Sequence, residues 1–397
     1  MRRSELEALF SQSGQELMRR LSPELDMSDL LRLVSALRKE GYAAEVVAAA
    51  LGQLRLRRRA RKKLGPIADR LYYTEPGLEQ ATRLAVAAQH AERFRAAGCE
   101  RVADLGCGIG VDATAFAALD LSVFAVERDE VTAAIAAYNL AAFPKVEVVH
   151  AAAEGVSLEG VDAIWFDPAR RLLNGAADGK RRRLDPSEFM PHLEFVFATL
   201  KQHGGGVKLG PDFPLELIPA NCEAEWVSHE GELVELALWF GKLAQLSGSR
   251  TALLVSADGV LRFSGSGRQQ MPASKLGRYI FEPNPALIRS ELIGDFAQQA
   301  GLHPTAARIA YLTGESAQRS PWLRTYEVIE SLALDTAKLR ARLAELEIGI
   351  LEIKKRGVDI EPEQLRKKLK LKGKGAATLI VTRVGDARLA LLCQPLR

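Results

Sequence analysis

Apolar residues recur at helical spacing through the first 64 positions. Leu6, Leu9, Phe10, Leu17 and Leu21 form one set, and Leu30, Leu31, Val34, Leu37, Val46, Val47 and Leu51 continue it. This period predicts helices over residues 1–64. From about residue 70 the pattern changes. A helical stretch, EPGLEQATRLAVAAQHAERFRAAG, leads into RVADLG, and the short apolar runs LSVFAVE, VEVVHA, VDAIWFD and GGGVKLG follow. Each is a buried-strand candidate, and helix-like or turn-rich segments separate the first four. Alternation of this kind predicts a parallel sheet covered by helices. AEWVSHEG and LVELALWFG are separated only by Glu232, which predicts an antiparallel hairpin at the end of that sheet. Beyond about 245 the chain reads as short strands (TALLVSA, VLRFS), a turn-rich bridge (YIFEPNPALIRSEL), a helix (AKLRARLAELEIG), a basic segment and two last strands (ATLIVTRVG, ARLALLCQ). The expected division is a helical domain over 1–68, an α/β domain over 69–245 and a small α+β domain over 246–397.

Composition narrows the class. The chain has 397 residues, 47% of them hydrophobic and 26% charged, which excludes a disordered or collagen-like protein. No apolar run approaches the roughly 18–20 residues of a membrane helix, and the N-terminus lacks the hydrophobic stretch of a signal peptide. Cys99, Cys107, Cys222 and Cys393 form no C-x-x-C pair, and His150, His192, His229 and His303 do not fall at ligand spacing, so neither a disulfide framework nor a metal is expected. A reducing cytoplasm fits this cysteine usage. The net charge is only +4, but the positive charge is clustered. LRLRRRARKK, ending at Lys63, reads either as a solvated helix face or as a phosphate-binding surface.

The sharpest motif is DLGCGIGVDA, residues 104–113, placed after a strand and at the opening of a helix. Gly106, Gly108 and Gly110 permit a tight turn and let a ligand reach backbone amides, and the helix N-terminus behind them favours an anionic group. The spacing is G-x-G-x-G and not the dinucleotide G-x-G-x-x-G. Asp104 precedes the glycines, and Glu127 ends the next strand, where a carboxylate can hold two ribose hydroxyls. An amino-acid nucleoside needs this combination.

These residues resemble the S-adenosylmethionine site of class I methyltransferases. The resemblance implies a Rossmann-like α/β fold with a seven-stranded sheet ending in a β-hairpin, and S-adenosyl-L-methionine as cofactor. It implies that Asp104 and the loop of Gly106, Cys107, Gly108 and Gly110, with Asp112, hold the methionine part, and that Glu127, beside Arg128, holds the ribose. Many members carry an Asp after the third strand for the adenine amine. Here Ala152 stands near that place, leaving Glu154 or a backbone group for the contact.

The fourth strand ends in WFDPARR, residues 165–171. Chemistry in doubly wound sheets sits at the carboxyl ends of strands, which places Asp167 beside the cofactor. Asp167 with the Pro168 carbonyl resembles the Asp/Asn-Pro-Pro-aromatic motif of amino-methyltransferases. It departs at Ala169, and at Arg170, where a guanidinium can stack on a base or hold a phosphate. Two such acceptors can take both hydrogens of an exocyclic amine and aim its lone pair. The motif also resembles that of uracil-5-methyltransferases, but the next strand ends in KLGPD without their nucleophilic cysteine. The loop that follows carries Arg170, Arg171, Lys180, Arg181, Arg182 and Arg183, six positive charges in fourteen residues, and is read as a phosphate-contacting loop.

The tail is basic as well, with nine Lys or Arg against three acids from Lys354 to Lys374, including Lys367, Lys368, Lys370 and Lys372. This tail, with YTEPGLEQAT and WFDPARR, is similar to a bacterial methyltransferase family with a C-terminal THUMP-like domain. That resemblance implies a structured RNA substrate such as tRNA or rRNA, and no membrane partner. A second reading, an RNA-binding protein whose methyltransferase fold has lost activity, follows from Ala152 and Ala169. A third is a methyltransferase acting on a protein or a small molecule.

Overall fold

The computed structural model describes residues 1–22, 24–26, 28–170 and 188–396, with Arg170 described by its backbone alone. The expected phosphate contacts of Arg171, Lys180, Arg181, Arg182 and Arg183 therefore lie outside the described residues. The chain divides into two compact units, one of Met1–Cys222 with Ala237–Ser247, the other of Glu223–Leu236 with Gly248–Arg397.

The first unit opens with four helices, α1 (Arg3–Phe10), α2 (Gln12–Arg20), α3 (Leu30–Lys39) and α4 (Ala44–Leu64). Ser11 and Asp29 cap α2 and α3 by accepting the Gly14 and Arg32 amides, which satisfies donors that the helix start leaves open. Helix α4 buries Val46, Val47, Ala50, Leu51, Leu54, Ala60 and Leu64 and stops at Gly65, which adopts a positive φ. Its basic run belongs largely to the fold, which neither sequence reading anticipated. Arg57 is buried and donates to the Leu71 carbonyl (3.0 Å), Arg61 forks onto Asp69 (3.0 and 2.9 Å), and Arg59 bonds Glu75 (2.7 Å). Lys63 donates to the Leu78, Glu79 and Ala81 carbonyls, and Arg58 to that of Leu25. Of the run, Arg55 and Lys62 are exposed and take no part in these contacts.

Next come α5 (Glu75–Gln80), capped by Thr74, and α6 (Leu84–Ala96). The sheet then begins, with β1 (Arg101–Leu105), α7 (Val111–Ala118), β2 (Ser122–Glu127), α8 (Glu130–Leu140), β3 (Val146–His150) and β4 (Ala163–Phe166). A two-residue pair, β5 (Ala169–Arg170) with β6 (Phe189–Met190), precedes α9 (Leu193–His203), β7 (Gly205–Leu209), β8 (Glu223–His229) and β9 (Glu232–Phe240). Strands β10 (Arg250–Ser256) and β11 (Gly259–Gly265) follow. The sheet order is β11-β10-β8-β9-β7-β4-β1-β2-β3. Its seven strands from β8 to β3 are the expected arrangement, with β1, β2, β3, β4 and β7 parallel. The two extra strands correct the expectation. Strand β10, Arg250 with the first five residues of TALLVSA, pairs with β8 and extends this sheet. Because the chain passes from β1 to β2 on one side and to β4 on the other, the switch point lies between β1 and β4. Trp165 and Trp239 stack at 5.3 Å in the core, with His90 4.3 Å from Trp165. Trp165 and Phe166 are fully buried, as a core role requires.

The second unit holds a seven-stranded sheet in the order β13-β14-β12-β15-β18-β17-β16. These are β12 (Tyr279–Pro283), β13 (His303–Pro304), β14 (Leu312–Gly314), β15 (Leu323–Ala333), β16 (Ile348–Lys355), β17 (Gly375–Val384) and β18 (Ala387–Pro395). The expected bridge YIFEPNPALIRSEL is instead an inner strand, β12, followed by a short helix α10 (Pro285–Arg289) that Asn284 caps, with α11 (Ile293–Ala300) beyond. Helices α12 (Thr336–Glu345) and α13 (Pro362–Leu369) bury Leu339, Leu343, Leu365 and Leu369 against Leu351, Leu379 and Leu392.

Two buried amides fix the segment that leads to α5. Gln53 accepts the Tyr73 amide and donates to its carbonyl (3.0 and 2.7 Å). Asn139 does the same for Tyr72 (2.8 and 3.0 Å) and also donates to the Ile109 carbonyl (2.9 Å). Asn139→Ala strands three buried polar groups, and urea unfolding is expected to show a loss of about 3 kcal/mol.

Candidate active site

The loop after β1 is shaped by what lies beside it. Gly106 has φ +91°, and a Cβ there would sit 3.0 Å from the Asp167 carbonyl oxygen, so the backbone conformation and the neighbouring strand end both call for glycine. The Gly106 and Cys107 amides donate to the Val126 carbonyl (2.9 and 3.1 Å), which ties the turn to β2. Glu127 completes the link, accepting the Gly108 amide on one oxygen (3.1 Å) and the Asp129 amide on the other (2.8 Å). A carboxylate has about four lone-pair sites, so these two bonds leave capacity for ligand hydroxyls. Gly110, at φ +87°, starts α7.

A cleft opens over this loop. Cys107, Gly108 and Ile109 form its floor, and Glu127 and Arg128 stand at the end of β2. Ala151, Ala153 and Glu154 follow β3, with Ala152 itself not on the wall. Asp167 and Ala169 stand at the end of β4, next to Met190 and Pro191. Gly77, Gln80, Ala81 and Thr82 close the remaining side. Pro168 is buried, and Arg170 enters the β5–β6 pair through its backbone opposite Phe189.

Charge in and under the cleft is tightly arranged. Asp104 is fully buried, and neither carboxylate oxygen has a partner among the described residues. Burial first, then the charges of Asp112 and Asp167, raise its carboxyl well above the usual range. Asp112 lies in the first turn of α7 and lines the cleft. Burial pushes it upward, but bonds from His90 Nδ1 (2.8 Å) and Thr82 Oγ1 (2.7 Å), with the charges of His90 and Lys208, hold it below the ordinary value. Burial also pushes the Cys107 thiol well up, so it is no nucleophile at neutral pH. Lys208, one residue before the end of β7, donates to Asp167 Oδ2 (2.5 Å), Thr82 Oγ1 (3.0 Å) and the Gln80 carbonyl (3.1 Å). Lys208, Thr82 and His90 were not among the residues expected from sequence. A lysine at the carboxyl end of the apolar run GGGVKLG was the available signal.

This donor set suits an amino-acid nucleoside. Asp104, beneath the cleft lining, has a buried carboxyl with no hydrogen-bond partner among the described residues, the loop offers backbone amides, and Glu127 keeps lone pairs for a diol. Cys222 is buried with its thiol on the Pro219 carbonyl (3.0 Å), so no cysteine stands at the end of β7 for covalent attack on a pyrimidine. Among the described residues no group of His, Cys, Asp and Glu could hold a metal ion, and no helix is long and apolar enough to cross a membrane. In the second unit, Lys367, Lys368, Lys370 and Lys372 are exposed at the end of α13 and just after it. Other tail cations are used internally: Lys354 bonds Glu282 (2.7 Å), Lys355 bonds Glu361 (2.7 Å), and Arg366 donates to the Leu351 carbonyl.

Comparison with known proteins agrees with this geometry. Residues 323–395 match the family described as THUMP domain-like, and residues 2–60 match a domain of unknown function. An uncharacterised S-adenosylmethionine-dependent methyltransferase of Mycobacterium tuberculosis (strain H37Rv) is 32% identical over 360 residues, covering 86% of this chain and 95% of that protein. The counterpart in strain CDC 1551 matches equally. A crystal structure from Porphyromonas gingivalis W83, assigned as a methyltransferase, shares the fold with a TM-score of 0.74 at 22% identity, covering 90% of this chain and 92% of that one.

Two outcomes follow from the carboxylates. With its pKa raised by folding, Asp104 keeps a proton in the native state that the unfolded chain gives up, so its contribution to stability falls as pH rises above about 4. Asp104→Asn removes that loss. Thermal unfolding of the ligand-free protein is expected to show a gain over wild type that grows as pH rises above about 4, at roughly 2–4 °C per kcal/mol. Glu127→Ala removes charge-assisted bonds worth about 1.5–3 kcal/mol each, and calorimetry is expected to show S-adenosylhomocysteine bound roughly 10- to 100-fold more weakly.

Proposed function

The chain belongs to the S-adenosylmethionine-dependent methyltransferases, and we propose that its acceptor is an exocyclic amine of a base in structured RNA. When bound, S-adenosylmethionine supplies an electrophilic methyl group. In this reading Asp104 and the 106–110 loop take the methionine end, and Glu127, beside Arg128, takes the ribose. Glu154 and the Ala151–Ala153 backbone stand nearest the base.

The observation that carries the acceptor assignment is the position of Asp167. It lines the cleft at the switch point, directly against the glycine loop, and is followed by Pro168. Methyl transfer is an in-line displacement, so the protein must hold a desolvated nucleophile in line. A carboxylate has about four lone-pair sites, so Asp167 can accept an amine hydrogen as well as the Lys208 bond, and the Pro168 carbonyl is the second acceptor. Together they turn the amine lone pair toward the methyl group. Arg170 contacts the base or a phosphate. RNA as the acceptor is supported by the THUMP-like segment, by the exposed lysines 367, 368, 370 and 372, and by the arginines of the 170–183 loop. The division of labour places cofactor and chemistry in 69–245, RNA docking in 246–397, and a scaffold in 1–68.

RNA from cells lacking the gene, incubated with the protein and trideuteromethyl-labelled S-adenosylmethionine, is expected to yield an N-methylated base on nucleoside mass spectrometry. Label on a ribose oxygen, or none in RNA, overturns the reading. Asp167→Ala is expected to lower turnover by about 100-fold or more while S-adenosylhomocysteine affinity stays within about threefold, because the lost group orients the acceptor. Alanine at Lys367, Lys368, Lys370 and Lys372 is expected to flatten the dependence of log K for RNA on log salt by about 0.7 per lost phosphate contact.

A further inference from the structure

The Lys208 side chain is only 12% exposed, and its ammonium meets acceptors from three separate parts of the first unit. Asp167 comes from the end of β4, Thr82 from the segment before α6, and Gln80 from the end of α5. An ammonium group has three N–H donors and no acceptor, enough for all three of these bonds. Thr82, having accepted from Lys208, donates its own proton to Asp112, which takes a second bond from His90. A continuous polar chain thus runs from Asp167 on one side of the cleft to Asp112 and Thr82 on the other.

We propose that Lys208 is a positioning residue that ties the cofactor-facing wall Gln80–Thr82 to the acceptor carboxylate Asp167. The Asp167 half of this link rests on the amine-orienting reading above, whereas the wall half does not. Beyond the backbone bonds of α5 and the buried Leu78, residues 78–82 are bound by two ammonium groups. Lys63 of α4 bonds the Leu78, Glu79 and Ala81 carbonyls (2.9, 2.6 and 3.2 Å), and Lys208 bonds the Gln80 carbonyl and the Thr82 hydroxyl. The wall is also pressed onto the glycine loop, since a Cβ at Gly77 would lie 2.6 Å from the Ile109 side chain. Lys208 supplies the positive charge that Asp104, Asp112 and Asp167 share. Saturated with acceptors and paired with a carboxylate, it is no general base. Its part is to fix the carboxylate's orientation and to keep the wall in register with it.

The test uses the full chain with S-adenosylhomocysteine as probe and no acceptor, so its outcome is independent of what the acceptor is. Lys208→Met, Lys208→Arg and Asp167→Ala are compared with wild type by calorimetry and by hydrogen–deuterium exchange of the ligand-free protein. Lys208→Met is expected to weaken S-adenosylhomocysteine binding about tenfold and to speed exchange at residues 78–83, because the wall loses its anchor. Lys208→Arg, which keeps the charge, is expected to lose less affinity than Lys208→Met, and Asp167→Ala, which leaves the wall bonds in place, to stay within about threefold of wild type. Wild-type affinity with unchanged exchange in Lys208→Met overturns the proposal. So does a loss in Asp167→Ala as large as that in Lys208→Met. Exchange that rises throughout β1, β4 and β7 in Lys208→Met makes Lys208 a fold residue and overturns it too.

Discussion

One largely enclosed lysine, Lys208, stands among carboxylates that converge where the parallel strands end. The convergence is a consequence of topology. The carboxyl ends of β1 and β4 meet at the switch point, and the first turn of α7 faces them, so Asp104, Asp167 and Asp112 are brought together by the sheet itself. Carboxylates in a dry setting cannot all ionise without compensation. Lys208 and the bonds from His90 and Thr82 compensate Asp167 and Asp112. Asp104 has no such partner among the described residues and is left as the group that binds a proton. In the proposed site, the cofactor's own cation is what that carboxylate lacks.

The glycine loop, Asp104, Glu127 and Asp167 were legible in the sequence because each is tied to a local pattern. A strand end, a fixed glycine spacing and an acid at the end of the following strand all lie within short windows. Lys208, Thr82 and His90 were not legible, because their roles arise from contacts between segments far apart in the chain. The same difference explains the basic run of α4. Its arginines and lysine look like a surface when read along the chain, but Arg58 reaches Leu25, Arg61 reaches Asp69, and Lys63 reaches the end of α5. Side chains of this length find carbonyls and carboxylates many residues away, and periodicity does not report where those lie. The β12 strand was read as a bridge for a related reason. Its asparagine and two prolines in EPNP signal a turn, and the turn is there, but it is the cap of α10 and lies at the strand's end.

The tail gives a more divided picture. Its density of positive charge is real, yet the structure separates cations that hold the second unit together, such as Lys354 on Glu282, from those that stand exposed after α13. Lys370 adopts a positive φ at the helix end, which turns the chain so that Lys372 and Lys374 follow on the exposed side. A cluster of this kind gives an RNA-docking surface its salt dependence without supplying sequence discrimination. Discrimination in the proposed enzyme would fall to the cleft at Asp167.

The charge balance around Asp104 can be measured without any variant or acceptor. Calorimetric titration of the wild-type protein with S-adenosylhomocysteine at pH 6, in two buffers of different ionisation enthalpy, counts protons exchanged on binding. Net release of protons on binding is expected, as the buried Asp104 carboxyl, its pKa raised by folding, ionises beside the incoming ammonium. Equal heats in the two buffers would contradict this coupling of cofactor binding to a protonated Asp104.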